Sequence, residues 1–277
     1  MTLRFTNLTD DQIPIEFAAI TPAALAGATI PAVLRLQILR GNRSVELGEL
    51  FEVKAEAAGD SAADWVLAGD WSNVHSVGAG MDSGSIMVEG SVGRRAGLGM
   101  RGGRIEIQGN ASDWLGAEMT GGLIRIGGDA GSHVGAATRG AKRGMAGGTI
   151  LIDGNAGDEL GARMRRGLIA VAGSVGELLG YNMLAGTILV FGRCDSLPGS
   201  GMRRGTIGVF GNPRPTLLPT FRAGYRGPLP MLRLIESALA AHGFALDELP
   251  QLAEVVELYH GDLLASGRGE LLLTAAP

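Results

Sequence analysis

The chain has 277 residues, enough for one large domain or two modest ones, and 45% of them are hydrophobic, so a substantial core is within reach. Aromatic residues are only 5%, which makes that core aliphatic, and the single cysteine, Cys194, excludes an internal disulfide framework and fits a reducing compartment. Net charge is −4, and neither an apolar run of about 18 residues nor a basic N-terminus leading into an apolar stretch occurs, so a soluble, cytoplasmic chain without membrane insertion is expected.

The charge is uneven. Residues 85–211 carry 14 basic side chains against 10 acidic ones, while the rest of the chain is acidic. Of the 24 basic residues 22 are arginine, the side chain suited to forked binding of carboxylates and phosphates. Glycine is the compositional outlier at 46 residues, roughly 17% against a usual value of about 7%. It alternates with Ile, Val and Met rather than Ser, which implies many tight turns and not a flexible linker.

Residues 1–64 show no repeat. Short alternating pieces such as Ala32 to Ile38 predict strands in a small β-rich N-terminal cap, which would shield an open sheet edge.

Residues 65–211 are periodic. Met81, Met100, Met119, Met145, Met164, Met183 and Met202 step by 19 residues except for one step of 26. Ile86, Ile105, Ile124, Ile150, Ile169, Ile188 and Ile207 keep the same phase, and an aliphatic residue followed by glycine stands at fixed distance after each. The stretch AGLGMRGGRIEIQG contains Gly97, Gly99 and Gly102 in a G-x-G-x-x-G spacing, but a dinucleotide loop needs a helix next. Instead Arg104 to Gln108 alternate with period two and read as a strand, so the glycines belong to one turn of the repeat.

Nineteen residues hold a short strand and its turns but no crossover helix. The repeat therefore predicts an all-β dominated fold, a right-handed parallel β-helix of about seven coils. Its interior would be ladders of identical aliphatic side chains, with glycine at the positive-φ corners. Seven extra residues between Gly135 and Met145 must leave the coil as a loop carrying Arg139, Lys142 and Arg143.

Residues 212–277 form a C-terminal extension. Pro213 and Pro215 stop the last repeat strand, Pro230 opens a helix that ends at Gly243, a second short helix is expected over Gln251 to Tyr259, and Gly269 to Leu273 reads as a strand. The outward positions of the repeat strands are charged early, where Glu106 faces Arg125 and pairing is expected, and apolar late, at Leu151, Leu189, Phe191 and Phe210. That late face requires a cover, supplied either by the chain's own C-terminal helices or by a partner subunit.

Catalytic machinery is not visible. His75, His133, His242 and His260 share no ligand spacing, so no metal site is expected, and no nucleophile motif occurs. The candidate contacts for an acidic partner or a polyanion are Arg101, Arg165, Arg166, Arg203 and Arg204 after the Met column, with the loop residues Arg139, Lys142 and Arg143. The competing reading is ordinary solubilising surface charge. Nucleic acid is disfavoured, because no aromatics interleave with the bases.

The repeat resembles the glycine-rich β-helix of glutamate synthase large subunits. A wider resemblance covers nearly the whole chain: Gly41-Asn42-Arg43 followed by VELGELFEV, RGAKRGMAGGTILIDGNAG from Arg139 to Gly157, MRRGLIAVAGSVG, and Tyr259-His260-Gly261-Asp262 with Gly267-Arg268-Gly269-Glu270. In these the chain is similar to the C subunit of formylmethanofuran dehydrogenase, a family that includes the C subunit of the bacterial formyltransferase/hydrolase complex. The resemblance implies a scaffold without catalytic residues or cofactor of its own, beside hydrolase-like and formyltransferase subunits. Those subunits would handle formyl groups on a methanofuran-type carrier, with tetrahydromethanopterin as the other formyl carrier and a metal on another subunit. It also implies a polyglutamate tail on the carrier. A stand-alone glutamate synthase-like accessory and a β-helix enzyme acting on acidic polysaccharide are the alternative readings.

Overall fold

The computed structural model describes residues 2–18, 20–56, 63–244 and 255–275. The N-terminal segment consists of β1 (Thr2–Asn7), β2 (Ile15–Glu16), α1 (Ile30–Leu34), β3 (Gln37–Arg40), β4 (Arg43–Glu46), α2 (Leu47–Leu50) and β5 (Phe51–Glu56). The strand expected over Ala32 to Ile38 is therefore corrected: a helix occupies its first half and β3 begins only at Gln37. Pro31 lies in the first turn of α1, where its missing N–H costs nothing, and α1 itself buries one side chain, Val33. α2 is fixed by a reciprocal capping box between Glu46 and Glu49. Five aromatic side chains, Phe5, Phe17, Phe51, Trp65 and Trp71, gather at this end. Phe51 stacks on Trp71 at 4.8 Å and Phe5 packs on Trp65 at 4.9 Å, which fills the end of an otherwise aliphatic core.

The repeats supply β6 (Trp65–Ala68), β7 (Val74–His75), β8 (Ser85–Val88), β9 (Arg104–Ile107), β10 (Leu123–Ile126), β11 (Ala146–Ile152), β12 (Arg166–Val171), β13 (Thr187–Val190) and β14 (Arg204–Val209). The C-terminal segment adds β15 (Arg222–Gly227), α3 (Met231–Ala241), β16 (Val256–Gly261) and β17 (Arg268–Thr274). One 13-stranded sheet runs β15-β16-β17-β14-β13-β12-β11-β10-β9-β8-β6-β1-β5, and a smaller one runs β4-β3-β2-β7. From β1 through β6 and β8 to β14 and on to β17, the neighbours in the large sheet are parallel.

Register follows the sequence period. Ile86 lies beside Ile105, Ile105 beside Ile124, Ile124 beside Ile150, and so on to Ile207, and every one is at most 2% exposed. A second row of parallel bridges joins Trp71, Val92, Ala111, Ala130, Ala156, Val175 and Cys194. In a third row each residue after the Met column donates its N–H to the Met carbonyl of the preceding repeat, as Arg101 does to Met81 and Leu184 to Met164, both at 2.7 Å. The seven-residue insertion leaves all of this in phase, since β10 and β11 still pair Ile124 with Ile150.

One corner departs from expectation. Ser76, Arg95, Trp114, His133, Glu159, Leu178 and Leu197 all have φ between 52° and 66°, and none is glycine. The conformation is imposed by the neighbouring repeat, whose carbonyl accepts the corner N–H: Arg95 donates to Asp113 and Trp114 to Ser132, each at 2.9 Å.

At the C-terminal end β17 joins β14 in parallel, and β16 and β15 come next, antiparallel. The second helix expected over Gln251 to Tyr259 is not formed in its described part: Val256 onward is β16, and Gln251 to Glu254 lie outside the described residues. Its apolar periodicity is too short to distinguish a helix from a strand that finds a partner in β17.

The first helix does form. α3 lays Leu232 and Leu239, with Phe244 beyond it, on Leu151, Ala170, Leu189, Phe191 and Phe210. The late apolar face is thus covered by the chain itself. The expected Glu106–Arg125 pair is not made, although the two are register partners. Arg104 takes Glu106 at 2.9 Å, and Arg125 instead donates to the carbonyls of His242 and Gly243 at 3.0 and 2.6 Å and pairs with Asp153 at 3.0 Å. The two carbonyls at the α3 C-terminus and the Asp153 carboxylate together occupy that guanidinium, and Glu106 is left to Arg104.

Candidate functional site

The Met column points inward, every member at most 1% exposed, so the residues beside it face out. Arg203 N–H donates to Met183 and Arg165 N–H to Met145, both at 2.8 Å, which sets Arg165, Leu184 and Arg203 on three successive repeats. One position before each Met of the column, Met145 excepted, is a second left-handed corner. Glycine fills it at Gly80, Gly99 and Gly201, but Glu118, Arg163 and Asn182 adopt φ of 56°, 58° and 53° there.

Two of these exceptions, Glu118 and Arg163, hold the insertion. The Glu118 carboxylate accepts the backbone N–H of Thr138 at 3.1 Å as well as its hydroxyl, at the loop's start. Arg163 donates to the Ala141 carbonyl at 3.1 Å, and Gly144 N–H donates back to the Arg163 carbonyl at 2.9 Å, at its end. The loop thus has a fixed path, and it walls an open depression of ≈ 480 Å³ lined by Lys142, Arg163, Asn182, Leu184 and Arg203.

Of the candidates read from sequence, Lys142 and Arg203 meet in this depression. Arg139 and Arg143 are exposed on the same loop but outside the lining; Arg166 and Arg204, exposed, and Arg165, half-buried, also lie outside it around the Met column. Arg101 lies apart, with Thr120 and Ala146 between it and Arg165 along the column. Sequence reasoning misses Arg163 and Asn182. Their signal is the departure from glycine one place before Met.

No carboxylate lines the depression, and among the described residues none of its three cations has an ion-pair partner. Some guanidinium groups elsewhere are matched, as Arg94 is to Asp113 at 3.1 Å and Arg4 to Glu89 at 2.6 Å. Neighbouring like charges repel, and an anion placed between them would remove that cost.

Groups with displaced titration lie elsewhere, in structural settings. Burial lowers His75, which accepts the Arg94 N–H at 3.1 Å, and the Arg214 hydrogen bond at 3.0 Å holds Glu257 below the usual carboxylate range. Burial, then the Asp195 charge, pushes the Cys194 thiol up to about 12. We therefore expect Cys194 to resist alkylation at neutral pH until the protein is denatured; rapid labelling of the native chain would contradict its place in the bridge row. Among the described residues no three His, Cys, Asp or Glu side chains converge as metal donors, and no helix is long and apolar enough to cross a membrane.

The fold is that of a repeat protein with in-register aliphatic columns and a basic depression beside its one insertion. No family model matches the chain. It is 43% identical over 83 residues to the C subunit of the tungsten-containing formylmethanofuran dehydrogenase 2 of Methanothermobacter thermautotrophicus, covering 29% of this chain and 30% of that relative. It is 41% identical over 81 residues to the C subunit of the formyltransferase/hydrolase complex Fhc of Methylorubrum extorquens, covering 29% of each. The aligned stretch thus spans about a third or less of these curated relatives. A chain in the X-ray crystal structure of the formyltransferase/hydrolase complex (FhcABCD) from Methylorubrum extorquens in complex with methylofuran matches throughout, with a TM-score of 0.86 and 39% identity over 99% of this chain and 100% of that one. The chain belongs to the family of formylmethanofuran dehydrogenase C subunits, which includes the C subunits of Fhc complexes.

Proposed function

We propose that this chain is the non-catalytic structural subunit of a cytoplasmic hetero-oligomer of the formyltransferase/hydrolase type, handling formyl groups on a methanofuran-type carrier in one-carbon metabolism. The observation that carries the reading is end-to-end similarity, at 39% identity, to a chain of a complex solved with methylofuran. Hydrolase-like and formyltransferase subunits are its partners, and tetrahydromethanopterin and the metal belong to their sites. Among the described residues the donor set does not fit a metal: no three His, Cys, Asp or Glu side chains converge, and Cys194 is buried. In this reading the repeats wind as a right-handed parallel β-helix. The in-register Ile row, the bridge row and the Met row support that reading, and the hand derives from the general rule for parallel crossovers. The three regions 1–64, 65–211 and 212–277 act as cap, stack and closing extension, and the basic strip contacts a partner or the polyglutamate tail of the carrier.

Affinity purification of the chain from its native cells tests this. Hydrolase- and transferase-type chains are expected to co-purify, and Arg165→Glu with Arg203→Glu is expected to weaken assembly or carrier retention while leaving the fold intact. Isolated chain that turns over formylated carrier unaided would overturn the non-catalytic role.

A further inference from the structure

The turn between β16 and β17, residues 262–267, closes the Met row. Asp262 N–H donates to the Met202 carbonyl at 3.3 Å, as Arg203 N–H does to Met183 one repeat earlier. The turn is locked from its base. Asp262 is only 5% exposed, and its carboxylate accepts the N–H groups of Gly201 at 3.1 Å and Leu264 at 3.0 Å. Its carbonyl accepts three more, from Ala265 and Ser266 at 3.0 Å and from Gly267 at 2.8 Å. Leu263 N–H donates to the Thr220 carbonyl at 3.2 Å, and the Ser266 hydroxyl donates to the Arg203 carbonyl.

What this framework holds out is apolar. Leu264 is 87% exposed, more than any other large apolar side chain among the described residues, and Leu263 beside it is 46% exposed. A single surface leucine is ordinary. A pair carried on a turn whose backbone is already hydrogen-bonded is different, because a surface that buries it has little further ordering entropy to overcome.

The surroundings set the sign of that surface. Arg268 follows the turn directly and lies in register with Arg204; both are exposed, and among the described residues neither has an ion-pair partner. The turn's own carboxylate is buried beneath it. The result is a convex apolar knob with a positive rim, complementary to an apolar cleft edged by Asp or Glu. The depression of a second copy does not fit, since Lys142, Arg163 and Arg203 give it the same sign as the rim. A bilayer fits poorly as well: two leucines bury less hydrocarbon than one myristoyl chain, which alone binds membranes only marginally.

We infer that Leu263 and Leu264 anchor this chain to a neighbouring protein subunit, by entering an apolar cleft with an acidic rim on that subunit. The inference rests on the reading of the chain as a structural subunit and gives that reading a point of attachment. The test places the photo-reactive residue p-benzoylphenylalanine at position 264 of the full chain, purified with its complex from native cells. Position 234 is the control, since Leu234 on α3 is 75% exposed. Irradiation is expected to cross-link position 264, and not position 234, to a hydrolase- or transferase-type chain, at a stretch holding apolar residues together with Asp or Glu. Leu264→Asp is expected to lower recovery of those chains by about tenfold or more, and Leu264→Met to keep it within about twofold. An unchanged melting temperature of the isolated Leu264→Asp chain establishes that its fold is intact. If the unaltered chain carries no such partners, the structural-subunit reading and the inference fall together. If it carries them, the inference alone is overturned by any of four results: a cross-link from position 264 to a second copy or to lipid, equal cross-linking from both positions, no cross-link, or full recovery with Leu264→Asp.

Discussion

Gly121→Ala is expected to cost about 3 kcal/mol or more and to lower the melting temperature by about 6–12 °C, whereas Gly99→Ala costs about 1 kcal/mol. The two glycines serve different physics. A Cβ on Gly121 would stand 2.2 Å from the Arg101 carbonyl oxygen of the preceding repeat, closer than any real contact. Relief requires the repeats to separate there, yet Thr120 N–H donates to the Met100 carbonyl at 2.7 Å one residue away, and the Ile column is locked on the other side. Gly99 has φ of +62° and nothing within 4 Å of a built Cβ, so alanine pays only for its backbone conformation. Urea and thermal unfolding of both variants measure the difference. Equal losses would mean that local backbone preference, and not the spacing between repeats, limits stability.

That contrast also explains what is legible in the sequence. The Ile and Met columns can be read because stacking puts the same contact at every copy, and the same contact selects the same side chain. The corner from Ser76 to Leu197 cannot, because its left-handed conformation is imposed by a carbonyl of the next repeat and tolerates residues from serine to tryptophan. Outside the periodic region no second copy arbitrates. Ala32 to Ile38 reads as strand where Pro31 starts a helix, and the run ending at Tyr259 reads as helix where β17 supplies a strand partner. The Glu106–Arg125 expectation fails for a related reason. Their adjacency is correct, but the competing acceptors come from Gly243, more than a hundred residues away. In the candidate site, Lys142 and Arg203 are legible as unbalanced charge on the insertion and the Met column. Arg163 and Asn182 are not, because their importance lies in replacing glycine at a corner whose geometry only the fold reveals.

Leu239→Asp is expected to lift α3 from the sheet without melting the repeats. Leu239 is fully buried among Leu151, Leu189, Phe191 and Phe210, and removing a carboxylate from water in that setting costs several kcal/mol if the helix stays in place. Detachment is the cheaper response, since the Ile, Met and bridge rows do not pass through α3. An apolar surface then faces solvent, so binding of a hydrophobic dye should rise sharply and the chain should self-associate while the far-ultraviolet β signal persists. Arg125→Ala should move the same observables less, because it removes the carbonyl contacts to His242 and Gly243 and the Asp153 pair, worth about 2 kcal/mol together, and leaves the apolar packing intact. A single cooperative loss of dye-binding, helix and sheet signals in Leu239→Asp would show that α3 is integral to the stack rather than a cover over it. No change in dye binding would remove the helix from the apolar face altogether.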